Sequence, residues 1–361
     1  MLEGRTGVVG SGTIAVAMSG GVDSSVAAAR LVERGAQVLG VTALMLDEES
    51  RCCSSEDIQR AERVAAKLGI SHHVIDVRQE FRRDVLEPFT AEYLAGRTPS
   101  PCAICNLTIK FGALLDAAHD LGATALATGH YARNDPGEGG VVRLRRAEDR
   151  TRDQSYFLAR LTQSELGQAV FPLGRITKQD VLERARRSGL EAAIDRESRE
   201  LCFVTRGKHG DWINVRCLKT PGPGYVEDTN GNRIGRHAGI HHYTVGQRKG
   251  LGVALGYPVY VTAIDAPRNV IVVGSRAEAM RSRLRADRLH WISGRLPAGS
   301  FRAEVQIRYN QTGAAARVEL QPDGTVEAVF DEPQFAVTPG QLAVFYSGDE
   351  VLGSGWIVPD A

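Results

Sequence analysis

The chain has 361 residues, more than one hydrophobic core usually holds, so two or three domains are expected. Its residues are 43% hydrophobic and 24% charged, as in a soluble globular protein; no apolar run is long enough to cross a bilayer, and the first residues lack the apolar core of a secretory signal. The formal net charge of +1 neither favours nor excludes a nucleic-acid partner, so any RNA binding depends on local basic patches.

The first half of the chain predicts alternating strands and helices. The apolar run TIAVAMS (13–19) predicts a buried strand, and a glycine-rich turn follows it into a helix that ends at Gly35. The pattern continues with strand AQVLGVTALML, a helix over 54–69 with a capping signature, and strand SHHVIDV. Helices in QEFRRDVLEPFTAEYLAG and over 108–122 precede a last strand in 123–132. This alternation implies a parallel sheet covered on both faces, with its ligand at the carboxyl ends of the strands.

The turn after the first strand, SGGVDSS (19–25), predicts a phosphate site. Small residues at a helix N-terminus leave backbone N–H groups available to an anion. The turn is neither a Walker A loop nor the GxGxxG dinucleotide fingerprint. The plain alternative is a serine- and glycine-rich helix cap without a ligand. Asp23 would lie beside a phosphate only with Mg²⁺ between them.

A second motif, TPSPCAICNLTIKFG (98–112), places Cys102 and Cys105 two residues apart. Pro99 and Pro101 interrupt regular structure, which predicts that the pair lies on a loop. Six cysteines in this length are too few for a disulfide scaffold, so a cytosolic location is expected, where a cysteine cluster is more often metal-binding or catalytic than structural. The pair could bind a metal, exchange electrons as a dithiol, carry sulfur or only pack.

The second half predicts a change of architecture. Charged helices over about 160–200 complete the first domain, and their charges are consistent with a solvated face. The glycine-rich stretch that follows GKHGDWINVRC predicts a small all-β region, with a hairpin in YPVYVTAIDAPRNVIVVGS. The remaining short strands with D-G and P-G turns predict a compact barrel or sandwich. The expected domains are 1–205, 206–277 and 278–361.

Basic residues cluster near the start of the third expected domain, where the only acids are Glu278 and Asp287. Such a patch would bind RNA phosphates without reading sequence. RNA binding is therefore favoured over an inert support. The arginines are Arg276, Arg281, Arg283, Arg285, Arg288 and Arg295.

The motifs taken together resemble a known family. AMSGGVDSS resembles the PP-loop of the ATP pyrophosphatases, and nearly the whole chain is similar to the tRNA-specific 2-thiouridylases of the MnmA type. The resemblance implies an α/β fold: a parallel-sheet PP-loop ATP-pyrophosphatase domain, a small β-rich central domain and a C-terminal β-barrel that contacts tRNA. The other motifs are GRTPSPCAICNLTIKF (96–111), ATGHYAR (127–133), RDQSYFL (152–158), ELCFV (200–204), TVGQRKGLG (244–252) and TPGQLAVFY (338–346).

This resemblance implies an enzyme that uses ATP and Mg²⁺ to adenylate the C2 oxygen of the wobble uridine, position 34 of tRNA. Sulfur then displaces AMP and gives 2-thiouridine. The implied partners are the anticodon stem-loop of tRNA, with the glutamate, glutamine and lysine tRNAs suggested, and a cysteine desulfurase or sulfur-relay protein. No membrane partner is implied, and the location is cytoplasmic.

The resemblance also implies roles for two cysteines. Cys202 accepts sulfur as a persulfide, and Cys105 is the nucleophile that frees this sulfur and ends in a disulfide with Cys202. A thiolate does this work, so a lowered pKa is expected for at least one of the two. Lys110, Arg199 and Arg206 are the basic neighbours in sequence. Ordinary packing is the plain alternative for any buried cysteine, and it is the favoured interpretation for Cys52, Cys53 and Cys217.

Substrate contacts follow from the same resemblance. Asp23 is implied as a catalytic residue that helps to hold Mg²⁺; residues 100–102 would lie against the target base, and Tyr309 is placed to stack on a base. The implied ATP contacts are Ala17, Met18, Ser19, Gly20, Gly21, Val22, Asp23, Ser24, Ala43 and Gly129. The implied tRNA contacts are Ser100, Pro101, Cys102, His130, Arg152, Asp153, Gln154, Arg308, Tyr309 and Gln341.

Cys102 departs from the pattern of those family members that have aspartate there. Together with Cys105 and Cys202 it could ligate three irons of a 4Fe–4S cluster and leave the fourth iron open for sulfide. Zinc is a weaker hypothesis, because its fourth ligand is missing unless His130 supplies it. The persulfide route is the first interpretation and the cluster the second. The rival functions are another PP-loop amidating or adenylating enzyme and a non-enzymatic module that binds RNA or a cluster.

Overall fold

The computed structural model describes most of the chain, which folds into an α/β unit, a small central sheet and a C-terminal barrel. This agrees with the fold class expected from the sequence. Cys52, Cys53, Arg199 and Arg206 lie outside the described residues. The described residues are 12–47, 54–190, 201–204, 207–297 and 299–359.

The first unit is built on a five-stranded parallel sheet with strand order β3-β2-β1-β4-β7. Strand β1 lies between β2 and β4, so the winding of the chain reverses on either side of it. A crevice at the carboxyl ends of the strands is expected at such a reversal. The strands are β1 (Thr13–Ala17), β2 (Val38–Leu44), β3 (His72–Asp76), β4 (Ala123–Ala127) and β7 (Ala169–Val170).

Helices cover this sheet, and the second of them shows how local sequence sets their ends. Helix α2 begins after Ser54, whose hydroxyl accepts a hydrogen bond from the Asp57 N–H while the Asp57 carboxylate accepts one in return. Gly69 ends α2 in the left-handed conformation, at φ 69°. The helix predicted over 54–69 is thus confirmed. The helices over the sheet include α1 (Val22–Glu33), α2 (Ser55–Leu68), α8 (Gln163–Gln168) and α9 (Lys178–Arg187).

A long helical segment over 78–94 follows strand β3, and a short helix lies at 155–158. The first consists of α3, a π-helical stretch and α4; the second is α7 alone. Their bounds are α3 (Arg78–Phe81), the stretch Arg82–Leu86, α4 (Glu87–Leu94) and α7 (Ser155–Leu158).

The C-x-x-C pair lies in a helix, so the prediction of a loop was wrong. Helix α5 (Pro101–Cys105) continues through π-helical turns (Asn106–Ala113) into α6 (Leu114–Asp120). Pro101 occupies the first turn, where the missing N–H has no helical partner to lose, so proline starts this helix rather than preventing it. Gly112 departs from helical geometry, at φ −106° and ψ −108°.

This segment, Pro101–Asp120, is also the one helix among the described residues whose length and composition would suit a membrane span. The expectation that no apolar run is long enough to cross a bilayer is therefore qualified for this helix. Ala103, Phe111 and Leu114 of the segment are buried in the protein core with Leu126 of the sheet. That burial is typical of a core helix.

The central unit is a four-stranded sheet with order β10-β11-β8-β9. Strands β10 and β11 form the antiparallel hairpin predicted from the sequence, and β11 pairs with β8 in parallel. Helix α10 (His209–Arg216) leads into this sheet. The strands are β8 (Gly224–Asp228), β9 (Arg233–His237), β10 (Tyr260–Asp265) and β11 (Val270–Gly274).

The last six strands form a closed barrel, because β12 pairs with β15 on one side and with β17 on the other. The sequence predicted a barrel or a sandwich, and this pairing decides for the barrel. The strands are β12 (Met280–Trp291), β13 (Ser300–Gln306), β14 (Ala314–Leu320), β15 (Val326–Phe335), β16 (Leu342–Ser347) and β17 (Glu350–Ile357).

A hairpin of the first unit joins the barrel, which sequence reasoning did not foresee. Strands β5 (Ala132–Pro136) and β6 (Val142–Arg146) pair with each other, and β6 pairs with β17. Arg133 and Arg145 both form ion pairs with Asp349 in the turn before β17. The sequence ARNDP lacks the apolar alternation that marks a strand, and VRLRR shows it only over Val142 and Leu144, which is too short to predict a strand by itself.

Candidate functional site

The glycine-rich turn and the turn after β4 meet at the crevice beside β1. Gly129, in the second turn, lies directly against the start of α1: a Cβ built on it would be 2.8 Å from the Ser24 backbone nitrogen and 2.9 Å from the Asp23 carbonyl carbon. A side chain at position 129 would therefore displace the first turn of α1. The structure brings these two predicted ATP-contact segments together.

The glycine-rich turn is held in a fixed shape. Gly20 has a φ of +71°, and a Cβ on it would lie 2.5 Å from the Asp57 carbonyl oxygen. The Ser19 N–H donates to Ser24 Oγ (3.2 Å), and this hydroxyl donates to the Gly21 carbonyl oxygen (3.0 Å). The Thr42 hydroxyl donates to the Met18 carbonyl oxygen (2.7 Å) and ties the turn to β2. The result is a preformed helix N-terminus suited to an anion.

The carboxylate of Asp23 has two side-chain partners from distant parts of the chain. Lys178 Nζ donates to both carboxylate oxygens, at 2.8 and 2.9 Å, and the Tyr131 hydroxyl donates to Oδ1 at 2.8 Å. Lys178 and Tyr131 are buried, whereas the Asp23 side chain is 35% exposed. Sequence reasoning missed Lys178, which lies 155 positions from Asp23 and carries no motif of its own.

The predicted tRNA segment 152–154 lies against the same turn. Gln154 Oε1 accepts a hydrogen bond from the Tyr131 N–H (3.1 Å), and the Gln154 N–H donates to the Tyr131 carbonyl oxygen (2.8 Å). The Asp153 carboxylate accepts from the backbone N–H groups of Ala147 and Ser155, and burial raises its pKa. In this structure the Asp153 carboxylate therefore binds neighbouring backbone and holds the segment in its conformation.

His130 and Lys110 form a small polar group near Cys102. Lys110 Nζ lies 3.3 Å from His130 Nε2, and the Thr128 hydroxyl lies 2.8 Å from His130 Nδ1. An ammonium group only donates, so Nε2 accepts and the ring hydrogen belongs on Nδ1. Burial first, then Lys110, lowers the pKa of His130 well below its usual value, so the ring is neutral.

The surroundings of Cys102 keep its thiol protonated. Cys102 is exposed, yet the protein packed around its thiol raises its pKa to about 11; Cys202 contributes to this rise and Lys110 opposes it. Lys110, which was expected to act on Cys105, has an electrostatic effect on Cys102. The effect of Cys202 on the Cys102 thiol means that the fold brings these two distant segments near each other.

Cys105 and Cys202 pack, partly buried, against one apolar cluster. Phe203 anchors the Cys202 segment there, with its ring centroid 4.9 Å from that of Phe89 and 5.2 Å from that of Trp212. Cys217 packs against the same cluster. Cys105 and Cys202, the two cysteines for which the resemblance implies sulfur chemistry, therefore pack against the same apolar cluster.

The donor groups do not fit a metal cluster. Across the described ranges, no three side chains of His, Cys, Asp or Glu are arranged to hold a metal ion. Cys102, Cys105 and Cys202 thus form no such group, with or without His130. The iron–sulfur and zinc hypotheses have no support in this arrangement.

The barrel residues predicted to contact tRNA are engaged differently. Gln341 Nε2 donates to the carbonyl oxygens of Thr98 and Pro99, at 2.8 and 2.9 Å, and so anchors the segment before the C-x-x-C helix. Arg308 donates to the carbonyl oxygens of Val245 (2.6 Å) and Ala336 (3.2 Å), which ties the barrel to the central unit. In this structure both side chains bind protein backbone.

Ser100 and Pro101 form the start of the C-x-x-C helix, and Tyr309 lies near Cys102 of that helix. The Tyr309 ring centroid lies 4.4 Å from that of Phe157, and Cys102 and Arg152 both affect the Tyr309 pKa, which burial raises. Ser100 is buried. A cleft of about 80 Å³ beside it is lined by Ser100, Pro101, Phe89, Arg288 and Trp356, among others.

The arginine patch is less basic than its sequence indicated. Arg283 forms an ion pair with Glu327 (3.2 Å) on the neighbouring strand, and Arg285 forms one with Asp323. Arg276 lies over the Phe335 ring, 4.4 Å from its centroid. Counting acids along the sequence missed the carboxylates that strand pairing brings alongside.

Comparisons with known proteins cover most of the chain. Three family models match in order: the tRNA methyl transferase HUP domain over 12–206, the tRNA methyl transferase PRC-barrel domain over 214–275, and the aminomethyltransferase beta-barrel domain over 281–357. Among solved structures, the U34-tRNA thiolase NcsA from Methanococcus maripaludis with its [4Fe-4S] cluster matches at 18% identity and a TM-score of 0.37, covering 56% of this chain and 65% of that one. A similarity this low carries no argument.

Curated relatives are much more similar. The tRNA-specific 2-thiouridylase MnmA of Chloroflexus aurantiacus is 47% identical over 350 residues, which is 95% of this chain and 98% of the relative. That of Solibacter usitatus is 45% identical over 366 residues, with 95% and 98% covered. Both similarities cover nearly the full length of this chain and of the relative. The chain therefore belongs to the tRNA-specific 2-thiouridylase MnmA family.

Proposed function

We propose that the chain catalyses the ATP-dependent 2-thiolation of uridine 34 in tRNA, with sulfur passing through a persulfide on Cys202. Besides family membership, the observation that carries this proposal is the approach of two distant segments. The Cys202 segment lies beside the C-x-x-C helix, close enough for Cys202 to affect the pKa of Cys102, and packs on the same cluster as Cys105.

In the first step the C2 oxygen of the uridine attacks the α-phosphorus of Mg²⁺–ATP, and pyrophosphate leaves. The N–H groups at the start of α1 bind the phosphates, since Gly20 and Gly21 leave the backbone uncovered. Asp23 accepts hydrogen bonds from Tyr131 and Lys178 at Oδ1 and from Lys178 at Oδ2, so Oδ2 retains a lone pair toward the Mg²⁺ of the substrate. Adenylation turns a poor leaving oxygen into a good one.

In the second step the outer sulfur of the Cys202 persulfide attacks C2. The Cys105 thiolate attacks the inner sulfur of Cys202, the persulfide S–S bond breaks, and AMP leaves C2 with the former carbonyl oxygen. The transferred sulfur gains two electrons, which come from the two cysteines as they form a disulfide. An external thiol then reduces the disulfide before the next turnover.

The remaining assignments follow from this reaction. The catalytic unit spans 1–205, the central unit 206–277 and the barrel 278–361. The tRNA contacts group around Cys102, His130, Arg152 and Tyr309, while Gln341 and Arg308 support them. The sulfur donor is a cysteine desulfurase or a relay protein, and the reaction takes place in the cytoplasm.

The direct test is mass spectrometry of tRNA nucleosides after incubation of the protein with tRNA, Mg²⁺–ATP and a sulfur source. We expect 2-thiouridine at position 34 together with one AMP per thiolated base. AMP formation with an amino group at the base, or no tRNA-dependent AMP at all, would contradict the proposal and favour another PP-loop activity.

Replacing Cys105 by serine separates the two steps. We expect C105S to release pyrophosphate in the presence of tRNA but to form no 2-thiouridine, because the adenylation site is intact and the second thiol is gone. The matched control is C217S, since Cys217 packs on the same cluster. Thiolation by C105S at the control's rate would exclude Cys105 as the nucleophile.

Replacing Asp23 by alanine tests the ATP side. We expect D23A to lose adenylation while its tRNA affinity stays within about twofold, because Asp23 lies at the glycine-rich turn rather than among the proposed RNA contacts. Pyrophosphate release and tRNA filter binding measure the two effects. Equal loss of both would mean that Asp23 supports the fold and not the reaction.

A further inference from the structure

The two partners of Asp23 have no role in the reaction as proposed above. Lys178 is only 10% exposed at its side chain, and Tyr131 is 2% exposed. Burial, followed by the charge and hydrogen bond of Asp23, raises the pKa of Tyr131, so its hydroxyl remains a donor. Three donated hydrogen bonds therefore fix the orientation of this carboxylate.

Both partners are also attached to one loop, residues 149–154. Tyr131 exchanges two hydrogen bonds with Gln154, one through its N–H and one through its carbonyl oxygen. The Lys178 N–H donates to Asp149 Oδ2 at 2.9 Å, at the start of α9. The other oxygen of Asp149 accepts from Thr151 within the loop. The two routes from Asp23 thus converge on the loop that contains Arg152 and Gln154.

We propose that Tyr131 and Lys178 are positioning residues that orient Asp23 toward Mg²⁺–ATP and make ATP binding respond to tRNA at loop 149–154. This inference rests on the proposed function, which assigns RNA contact to that loop. A shift of the loop on RNA binding moves the hydrogen-bond partners of both residues. Because these residues hold the same carboxylate, its orientation changes with the loop.

A purely structural role for the pair makes a different prediction. Loss of a buried hydroxyl would then lower the free energy of unfolding, as at any buried tyrosine, and would leave the ATP affinity of the folded protein unchanged. Tyr243 supplies the matched control: it is a buried tyrosine of the central unit whose hydroxyl bonds to the backbone of Ala238.

The test uses the full chain with Mg²⁺–ATP and an unmodified tRNA transcript, and it measures the Kd for Mg²⁺–ATP with and without saturating tRNA. We expect tRNA to change this Kd at least fivefold in the wild type and less than twofold in Y131F. Without tRNA, Y131F should bind Mg²⁺–ATP about tenfold more weakly, as for a lost hydrogen bond to a charged group. Y243F should match the wild type in both measurements.

Two further variants test whether the effect acts through Asp23. In a D23N background, Y131F should change the Kd less than twofold, because the carboxylate that it orients is gone. K178R should keep the response to tRNA that K178M loses. Additive effects of D23N and Y131F, identical behaviour of Y131F and Y243F, or a wild-type Kd that tRNA leaves unchanged would each overturn the inference.

These outcomes remain separate from those of the proposed function. If the wild type makes no 2-thiouridine, the proposed function fails, while the ATP-binding measurements still decide whether Tyr131 and Lys178 act through Asp23. If thiolation occurs and Y131F keeps the full response to tRNA, the proposed function stands and this inference fails.

Discussion

Cys102 and Cys105 lie three positions apart on one helix, yet their surroundings differ. Cys102 faces Lys110 and Cys202 and has a pKa of about 11, whereas Cys105 packs against the apolar cluster around Phe203. A thiol with so high a pKa is almost entirely protonated at neutral pH. Cys102 is therefore poorly suited to act as the nucleophile, and its protonated thiol is suited to contact with an uncharged base.

The reactivity of Cys102 toward iodoacetamide should follow its raised pKa. At pH 7.5 its thiolate fraction is roughly 100-fold lower than that of an ordinary cysteine, so we expect slow alkylation in the native protein and fast alkylation in urea. The native rate should rise about tenfold per pH unit until pH nears 11. Peptide mass mapping measures it, and equal native and unfolded rates at pH 7.5 would contradict this assignment.

The same shift has a consequence for stability. A group whose folded pKa lies above its unfolded value contributes stability below the unfolded pKa and loses it as pH rises through the folded pKa. For Cys102 the loss falls between about pH 9 and pH 11. Replacement by serine should flatten this part of the pH–stability curve.

At the scale of elements, helix α10 and the 3₁₀ turn Ile240–His242 are joined by histidines held neutral. Burial, then the nearby His242, lowers the pKa of His209 and of His241 to about 4 each. Asp211 opposes the shift of both, while Lys208 lowers the pKa of His209 and His237 that of His241. The His209 ring stacks on Tyr93 of α4, 4.3 Å between centroids.

These lowered values predict loss of stability in mild acid. The unfolded chain binds protons at His209 and His241 below about pH 6.5 while the folded chain does not, so the free energy of unfolding falls as pH drops from 6.5 toward 4. We expect H209F, which keeps an aromatic ring on Tyr93, to lose less stability over this range than the wild type. Urea unfolding at several pH values measures it; parallel curves would refute the role of His209.

The segment before the C-x-x-C helix depends on the barrel for its position. Gly340 has a φ of +91°, and a Cβ there would lie 2.9 Å from the Thr98 carbonyl oxygen, while Gln341 bonds to the carbonyl oxygens of Thr98 and Pro99. The TPGQ motif therefore fixes where the helix begins. Its glycine permits the close approach, and its glutamine supplies the donors.

Gln341→Ala should remove both anchoring hydrogen bonds. We expect a loss of about 1–3 kcal/mol in the free energy of unfolding. We also expect a reduced thiolation rate, because the start of the helix that contains Cys105 is then held less firmly. Gln321→Ala is the control, since this glutamine makes one long contact, 3.5 Å, with the Glu319 carbonyl oxygen of the barrel. Equal effects of the two changes would argue against the anchor.

Elements with local signals were predictable, and contacts between distant elements were not. Ser54 and Gly69 predicted both ends of α2, because capping depends on residues within one turn. Pro101 was misread, since a proline both interrupts a helix and starts one, and only the chain that follows decides between these effects. Lys178 was out of reach, because its bond to Asp23 exists only once α9 packs on α1.

At the scale of the whole molecule, Arg308 connects the barrel to the central unit and does not extend into solvent. Its guanidinium donates to carbonyl oxygens of Val245 and Ala336, and burial lowers its pKa. The family resemblance implied that Arg308 contacts tRNA, whereas in the structure Arg308 links the barrel to the central unit. Family motifs identify a position without stating what its side chain contacts.

Arg308→Met should therefore act on stability first. Removing the donors leaves the buried Val245 carbonyl without this partner, while the Ala336 carbonyl keeps the Thr338 hydroxyl, so we expect a loss of about 1–3 kcal/mol in the free energy of unfolding. The control is Arg302→Met, at an arginine that is 60% exposed and pairs with Asp331, where the change should stay within about 0.5 kcal/mol. Weaker tRNA binding by R308M with unchanged unfolding would restore the direct-contact assignment.

The hairpin β5–β6 gives the barrel a second attachment that does not pass through the covalent chain. Its strand β6 pairs with β17, and Arg133 and Arg145 pair with Asp349, so the barrel's own closing strand continues into the first unit. Cleavage of the peptide chain within 275–279 should consequently leave the two fragments associated. Strand pairing and ion pairs therefore set the spacing between the barrel and the first unit, which a covalent connection alone would leave free.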